Sequence, residues 1–279
     1  MKYLCLLVPF LVFAQTPVTT YYDSGEILSR YFVKNNTLDS TFTQYYKNGK
    51  IQSKMQYKKC EYDTNYIKML QSKIRCVSVY YNLKNKVLEG RKHGKWTFYY
   101  KDGSLKFVSN YHCGFKQGNF ITYRTDGILK HSEFYHEGSL ITEREYHENG
   151  TLKILIQYTY VYDENKDSGR EVVSYTKTEF RDDSTIKSIK RVTDSDSSNE
   201  KGIYKEYYPN GFLKISEELV NDFREGVYKE FYDNGHKKYE GEYIDEERVK
   251  KHHYYDRAGE MTKIESWDKD RLINTEYKK

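Results

Sequence analysis

Aromatic and aliphatic residues recur along this chain at fixed distances from a glycine. With that glycine as position zero, it falls at Gly25, Gly49, Gly103, Gly127, Gly150, Gly211, Gly235 and Gly259. Four residues earlier stand Tyr21, Tyr45, Tyr99, Tyr123, Tyr146, Tyr207, Phe231 and Tyr255, all aromatic. Two residues later stand Ile27, Ile51, Leu105, Leu129, Leu152, Leu213, Lys237 and Met261, where only Lys237 departs. Eight residues later stand Val33, Tyr57, Tyr111, Tyr135, Tyr158, Leu219, Tyr243 and Trp267. An even spacing between the last two sets puts them on one face of a strand. Asn or Asp precedes most of these glycines, and such pairs favour tight hairpin turns because both tolerate positive φ. A repeat this regular predicts tandem hairpins of about 24 residues before any single residue is interpreted.

A leading glycine nine residues upstream marks four of the units: Gly94, Gly118, Gly202 and Gly226. Two residues after it come Trp96, Phe120, Tyr204 and Tyr228, and three further on another aromatic. That odd step leaves two readings open: a bulge, or aromatic rings on both faces. A second glycine at Gly114 and Gly138 turns the chain back. Two stretches break the rhythm. Phe180, Ser184, Ile186 and Val192 fit the register with serine for glycine, so a degenerate unit is expected there, followed by a solvated loop at 194–200. In the other, Tyr81, Asn85 and Val87 fit more weakly, and residues 66–74 are assigned neither helix nor strand.

The chain of 279 residues carries 46 Lys and Arg against 41 Asp and Glu, a net +5. That balance gives no footprint for nucleic acid. Tyr numbers 31 against 13 Phe, and its polar tip suits a sheet that is never deeply buried. Lys2 followed by the apolar run Tyr3–Phe13 and Ala14-Gln15 reads as a secretory signal peptide, cleaved after Ala14, which makes the mature chain periplasmic, envelope-associated or secreted. Cys5 would leave with it; Cys60 and Cys76 are then candidates for a disulfide, with Cys113 over.

The segments GKWTFYYKDGSLKFVSNY (94–111), GIYKEYYPNGFLKISEEL (202–219) and GVYKEFYDNGHKKYEGEY (226–243) resemble the bacterial MORN-variant repeat family. Lys237 for Leu, and Asp222 and Glu246 for the second glycine, depart from its pattern. The resemblance implies an all-β, elongated antiparallel sheet of stacked hairpins. It also implies a scaffold, an antitoxin-like or a lipid-binding role, with no catalytic residues to transfer. The expected organisation is one continuous repeat domain: signal peptide 1–14, hairpin repeats 15–59, irregular insertion 60–93, central repeats 94–160, degenerate repeat with loop 161–200 and C-terminal repeats 201–279.

Candidate chemistry is sparse. The eight histidines form no zinc spacing with the cysteines, so neither metal nor cofactor is expected. Asp194 and Asp196 lack the glycine of a calcium loop, with Asn199 in its place. No nucleophile elbow or phosphate loop appears. Glu206 and Glu230 beside Lys205 and Lys229 read as cross-strand charge pairs. The remaining feature is the aromatic ladder. Trp96, Tyr100, Tyr208 and Tyr232 are expected on an exposed face as contacts for a partner, first another protein, then a glycan or a membrane surface. The leading expectation is an exported, non-enzymatic protein-binding or scaffold module. The alternatives are an antitoxin or immunity protein acting by binding, a lipid-surface binder, and an enzyme such as a glycan hydrolase with its site in an insertion.

Overall fold

The computed structural model describes residues 15–34, 37–38, 40–58, 91–136, 138–162, 171–194 and 200–278. The signal-peptide segment, Cys60, Cys76, the weak unit at 81–87 and most of the 194–200 loop lie outside the described residues. The described chain is all β, with 22 strands and no helix. It divides into two compact units, Met1–Gly127 and Ile128–Lys279.

Unit 1 contains β1 (Thr16–Tyr21), β2 (Ile27–Lys34), β3 (Thr37–Leu38), β4 (Thr41–Tyr45), β5 (Ile51–Lys58), β6 (Arg91–Lys92), β7 (Gly94–Tyr99), β8 (Leu105–His112), β9 (Phe115–Lys116) and β10 (Gly118–Tyr123). The order across its sheet is β1, β2, β4, β5, β7, β8, β10, all antiparallel, with β3, β6 and β9 as short leading pieces. Unit 2 is an uninterrupted antiparallel meander. Its strands are β11 (Leu129–His136), β12 (Ser139–Tyr146), β13 (Leu152–Tyr162), β14 (Glu171–Phe180), β15 (Ile186–Asp194) and β16 (Lys201–Tyr207), then β17 (Leu213–Val220), β18 (Phe223–Phe231), β19 (Lys237–Ile244), β20 (Glu247–Tyr255), β21 (Met261–Asp268) and β22 (Arg271–Tyr277).

The recurrent glycines turn the chain as expected, but not in two-residue loops. Gly103 N–H donates to Tyr100 O at 2.9 Å, and Tyr100 N–H donates to Ser104 O at 2.8 Å. The glycines at these turns sit at φ between 80° and 95°, the left-handed position of a three-residue turn closed by a glycine bulge. The same bonds close the degenerate unit around Ser184, at φ 67°. A register shift follows in each hairpin, between Phe98 and Tyr99, Glu206 and Tyr207, or Glu230 and Phe231. The extra residue lies on the strand after the glycine, as Lys106 does in β8, so the odd aromatic step on the strand before it, from Trp96 to Tyr99, runs without a bulge. Two-residue turns with both residues at positive φ occur at the other edge, as Asn221-Asp222, Asp245-Glu246 and Lys269-Asp270.

Each edge is stitched from one repeat to the next. At the glycine edge, the Tyr three residues before the glycine donates its hydroxyl to a backbone carbonyl of the following turn. The bonds are Tyr22 to Tyr45 O, Tyr46 to Tyr99 O, Tyr100 to Tyr123 O, Tyr208 to Phe231 O and Tyr232 to Tyr255 O, at 2.7–3.0 Å. The Asn before the glycine accepts from its own turn through Oδ1 and donates onward through Nδ2, as Asn210 does to Asp233 O at 2.7 Å. At the other edge, Asp270 N–H donates to Arg248 O while Arg248 N–H donates to the Asp270 carboxylate, both at 3.1 Å. Glu246 and Arg224 repeat that exchange. Two bonds per turn offset the roughly 1–3 kcal/mol that an L-residue at positive φ costs. They also account for Asp222 and Glu246 standing where the family pattern has glycine: only a side chain there can reach Lys190 or Arg224.

Candidate functional site

One face of each unit carries the residues two, four, six and eight positions after the turn glycine, and its filling differs between units. In unit 1 it is a ring cluster. Trp96 is 5% exposed and lies opposite Ser109, with Tyr57 and Tyr111 at ring-centroid distances of 5.1 and 5.3 Å. Phe98 lies opposite Ser53 and Phe107. Small serines under large rings let a single sheet layer bury them. Lys92 caps the cluster, its Nζ 4.7 Å from the Trp96 ring and 5.0 Å from that of Tyr111.

In unit 2 the same face is built around His252, which is 0% exposed. Its Nε2–H is shared between Glu242 O at 3.0 Å and Val249 O at 3.1 Å. That fixes Nδ1 as the acceptor, and Tyr239 donates its hydroxyl to it. Tyr243 lies 2.9 Å from the Tyr239 hydroxyl. Burial holds the His252 pKa below its usual value and drives that of Tyr239 upward. The imidazole lies against Gly241, where a Cβ would stand 2.5 Å from Nδ1, so any side chain there must displace the ring.

Arg224 and Arg248 flank this centre one repeat apart. The Arg224 guanidinium lies 4.5 Å from the Tyr228 ring centroid and 4.8 Å from that of Tyr243. Its Nε donates to Glu217 at 3.0 Å. Arg248 lies 3.5 Å over Trp267, with Nε donating to Asp270 at 2.7 Å. Tyr254 donates to Glu265 at 2.6 Å, and burial raises its pKa. The Tyr228 phenol is pushed up to about 12, first by burial and then by Glu230. Arg224, Arg248, Tyr228, Tyr239, Tyr243 and Tyr254 line an open groove of about 510 Å³, rimmed by Glu230, Lys238, Glu246 and Asp270.

A second hollow of about 570 Å³ lies at the glycine edge of the degenerate repeat. Its groups are tied into the turns: His147 reaches Phe180 O at 3.2 Å and Asp182 at 2.8 Å, and Arg181 reaches Ile186 O at 2.6 Å.

The residues singled out from sequence do not converge here. Trp96 is a core residue whose Nε1–H donates to Gln56 O at 2.8 Å, which corrects its expected place on an exposed face. Tyr100, Tyr208 and Tyr232 are half-buried, with their hydroxyls committed to the next turn. Their recurrence three residues before glycine was the signal for that role. Glu206 and Glu230 form cross-strand pairs within their own hairpins, with Lys214 at 2.8 Å and Lys238 at 2.7 Å, while Lys229 pairs with Glu240 at 3.3 Å. Cys113 is disulfide-bonded, which corrects its expected place as the cysteine left over, while Cys60 and Cys76 lie outside the described residues. The groove residues were visible as aromatics, but the arginines went unremarked. Their sign is a basic residue four positions before an aromatic, as in Arg224 with Tyr228 or Lys92 with Trp96.

Five segments of the chain, residues 38–59, 92–112, 140–160, 200–221 and 224–245, match the family described as MORN repeat variant. None of the curated proteins compared with the chain matches it. Among solved structures, that titled "Crystal Structure of TcdB2-TccC3-TEV" aligns at 12% identity over 90% of this chain and 12% of the other, with a TM-score of 0.18. The one titled "Crystal Structure of TcdB2-TccC3-Cdc42" aligns at 11% identity over 91% and 18%, with a TM-score of 0.14. The chain thus spans less than a fifth of either, and similarity at that level carries no argument. The matched segments coincide with the hairpins and edge stitches described above. Five repeats of the chain are thus repeats of the MORN repeat variant family.

Proposed function

We propose that the chain is an exported, non-enzymatic module that binds another protein through the groove face of unit 2. The observation that carries this reading is the pair of guanidiniums centred 4.5 and 3.5 Å from aromatic rings, one repeat apart, in an open groove. Arginine stacked on aromatic rings loses little further freedom on contact, and this composition is typical of strong contact positions. The titratable groups at the centre have structural partners: His252 has both nitrogens engaged, and Tyr239 and Tyr254 are hydrogen-bonded and hard to ionise. That favours a scaffold for contact over acid–base chemistry.

A photo-crosslinking residue at Tyr228 reports the groove face, and one at its neighbour Lys229 reports the opposite face. The expected outcome is one discrete crosslinked protein from position 228 and none from 229. Equal yields at both positions refute the assignment. Export rests on the apolar N-terminal run, and the mature chain is expected to begin at Gln15 by N-terminal sequencing. A chain beginning at Met1 removes that part of the proposal alone.

A further inference from the structure

His252 lies against two of the groove tyrosines with one side of its ring fixed. Its Nε2 faces Glu242 O at 3.0 Å and Val249 O at 3.1 Å, and carbonyls only accept, so Nε2 keeps its proton whether the ring is neutral or charged. Nδ1 is then the nitrogen that titrates, and its hydrogen-bond partner is the Tyr239 hydroxyl. A phenol has a single proton to give. While Tyr239 gives it to Nδ1, the 2.9 Å contact between the two phenol oxygens requires Tyr243 to donate to Tyr239. Tyr239 and Tyr243 both line the groove, whereas His252 is 0% exposed. A chain of hydrogen bonds thus runs from the groove wall to a buried base.

We propose that Tyr243, Tyr239 and His252 form a proton relay that reverses the hydrogen-bonding sense of the groove as pH falls. A solvent proton bonds to the Tyr243 oxygen while the Tyr243 proton passes to the Tyr239 oxygen and the Tyr239 proton passes to Nδ1. One proton enters, each phenol breaks and remakes one O–H bond, and the imidazole becomes an imidazolium. Nδ1 then donates to Tyr239, Tyr239 donates to Tyr243, and the Tyr243 proton is left for the groove. Tyr243 offers the groove only lone pairs before this change and a donor after it. The surrounding charges place the change. Burial opposes the imidazolium first, and Arg248 on the same strand also opposes it; the two carbonyls and Glu265 favour it. Glu265 stands opposite His252 in register but is already held by Lys263 at 2.7 Å and Tyr254 at 2.6 Å. On β19, Glu240 and Glu242 are paired with Lys237 and Lys250, and on β18 Arg224 is paired with Glu217. Asp270 is held by Arg248 at 2.7 Å. The reversal therefore falls below the ordinary histidine range and needs no charged group to leave its partner.

The test is nuclear magnetic resonance on the full chain, isotope-labelled at the imidazole nitrogens and the tyrosine Cζ, titrated from about pH 7.5 to about pH 5. The expected result is a shift of His252 Nδ1 from an unprotonated to a protonated nitrogen, with Nε2 protonated throughout. The Cζ signals of Tyr239 and Tyr243 shift with the same midpoint. Tyr239→Phe leaves His252 titrating and silences Tyr243, Tyr243→Phe leaves Tyr239 responding, and His252→Gln silences both phenols. Near-ultraviolet circular dichroism at each pH shows whether the fold is intact; if Tyr239→Phe does not fold, His252→Gln carries the comparison. A Tyr243 response that survives in folded Tyr239→Phe or His252→Gln, unequal midpoints, titration at Nε2, or an imidazole that charges only as the fold is lost overturns the relay. The effect on a partner rests on the protein-binding reading: the crosslink from position 228 is expected to fall across the same midpoint and to stay level in His252→Gln. A level yield in the native chain overturns that coupling. No crosslink at neutral pH removes the protein-binding reading itself, while the resonance data still decide the relay.

Discussion

Units 1 and 2 share one hairpin register and fill its buried face by different means. Unit 1 uses rings over serines: Trp96 over Ser109, and Phe98 beside Ser53. Unit 2 places charges among its rings and pairs them, as Lys177 with Glu179 at 2.7 Å, Arg224 with Glu217 at 3.0 Å and Lys263 with Glu265 at 2.7 Å. Among the described residues, two of the five buried hydrophobic ones, Tyr135 and Val192, belong to unit 2 and the other three to unit 1. A one-layer sheet thus tolerates a face held by aliphatic stems and ion pairs, provided its edges are stitched. The stitches are the constant and the face is the variable, which leaves room in unit 2 for arginines among the rings.

The comparison breaks most visibly at its two centres. Trp96→Ala should cost about 3–5 kcal/mol, because it removes both a core ring and the donor to Gln56 O. Lys263→Ala, at the equivalent face of unit 2, should cost about 0–1 kcal/mol, since its pair is partly exposed. Urea denaturation of both variants measures the contrast, and equal losses would dissolve it. Gly241→Ala should cost about 1–3 kcal/mol by displacing the His252 ring, with the loss again read from urea melts.

A third test uses pH. Burial lowers the His252 pKa in the folded chain, so below the ordinary histidine pKa the unfolded chain takes up the proton first. Stability from this group is complete above about pH 6.5 and falls as pH drops below it. Thermal melts from pH 7.5 to 5 should show that loss, and His252→Gln should flatten it. The smallest expected effect lies in the stitches. Tyr232→Phe should cost about 0.5–1.5 kcal/mol in thermal melts, with no change in the circular dichroism spectrum at room temperature. The corresponding change in unit 1, Tyr46→Phe, should cost the same if the edges are indeed common to both units.

The hairpin register was legible because glycine, aromatic and aliphatic positions obey a fixed count, and the count survives even where Ser184 replaces glycine. The bulge was not legible, since its extra residue, such as Lys106, lies on the strand after the glycine and leaves the odd aromatic step before it unchanged. The edge stitches were hidden for a different reason. Tyr100 and Tyr232 bond backbone carbonyls 23 residues away, and a carbonyl leaves no trace in residue identity. A recurrent tyrosine therefore looked like a contact surface when it was a fastener. The groove was missed because Arg224 and Arg248 matter through what their Nε groups already hold, which only coordinates reveal.

The glycine-edge fasteners also have a direction. At 22, 46, 100, 208 and 232 the hydroxyl comes from the earlier turn and the carbonyl from the later one. During synthesis, each freshly made turn therefore holds out a hand to a successor that the ribosome has yet to deliver, a wait of seconds at ordinary elongation rates. Each of these hairpins therefore gains its last edge bond only when the next one is in place.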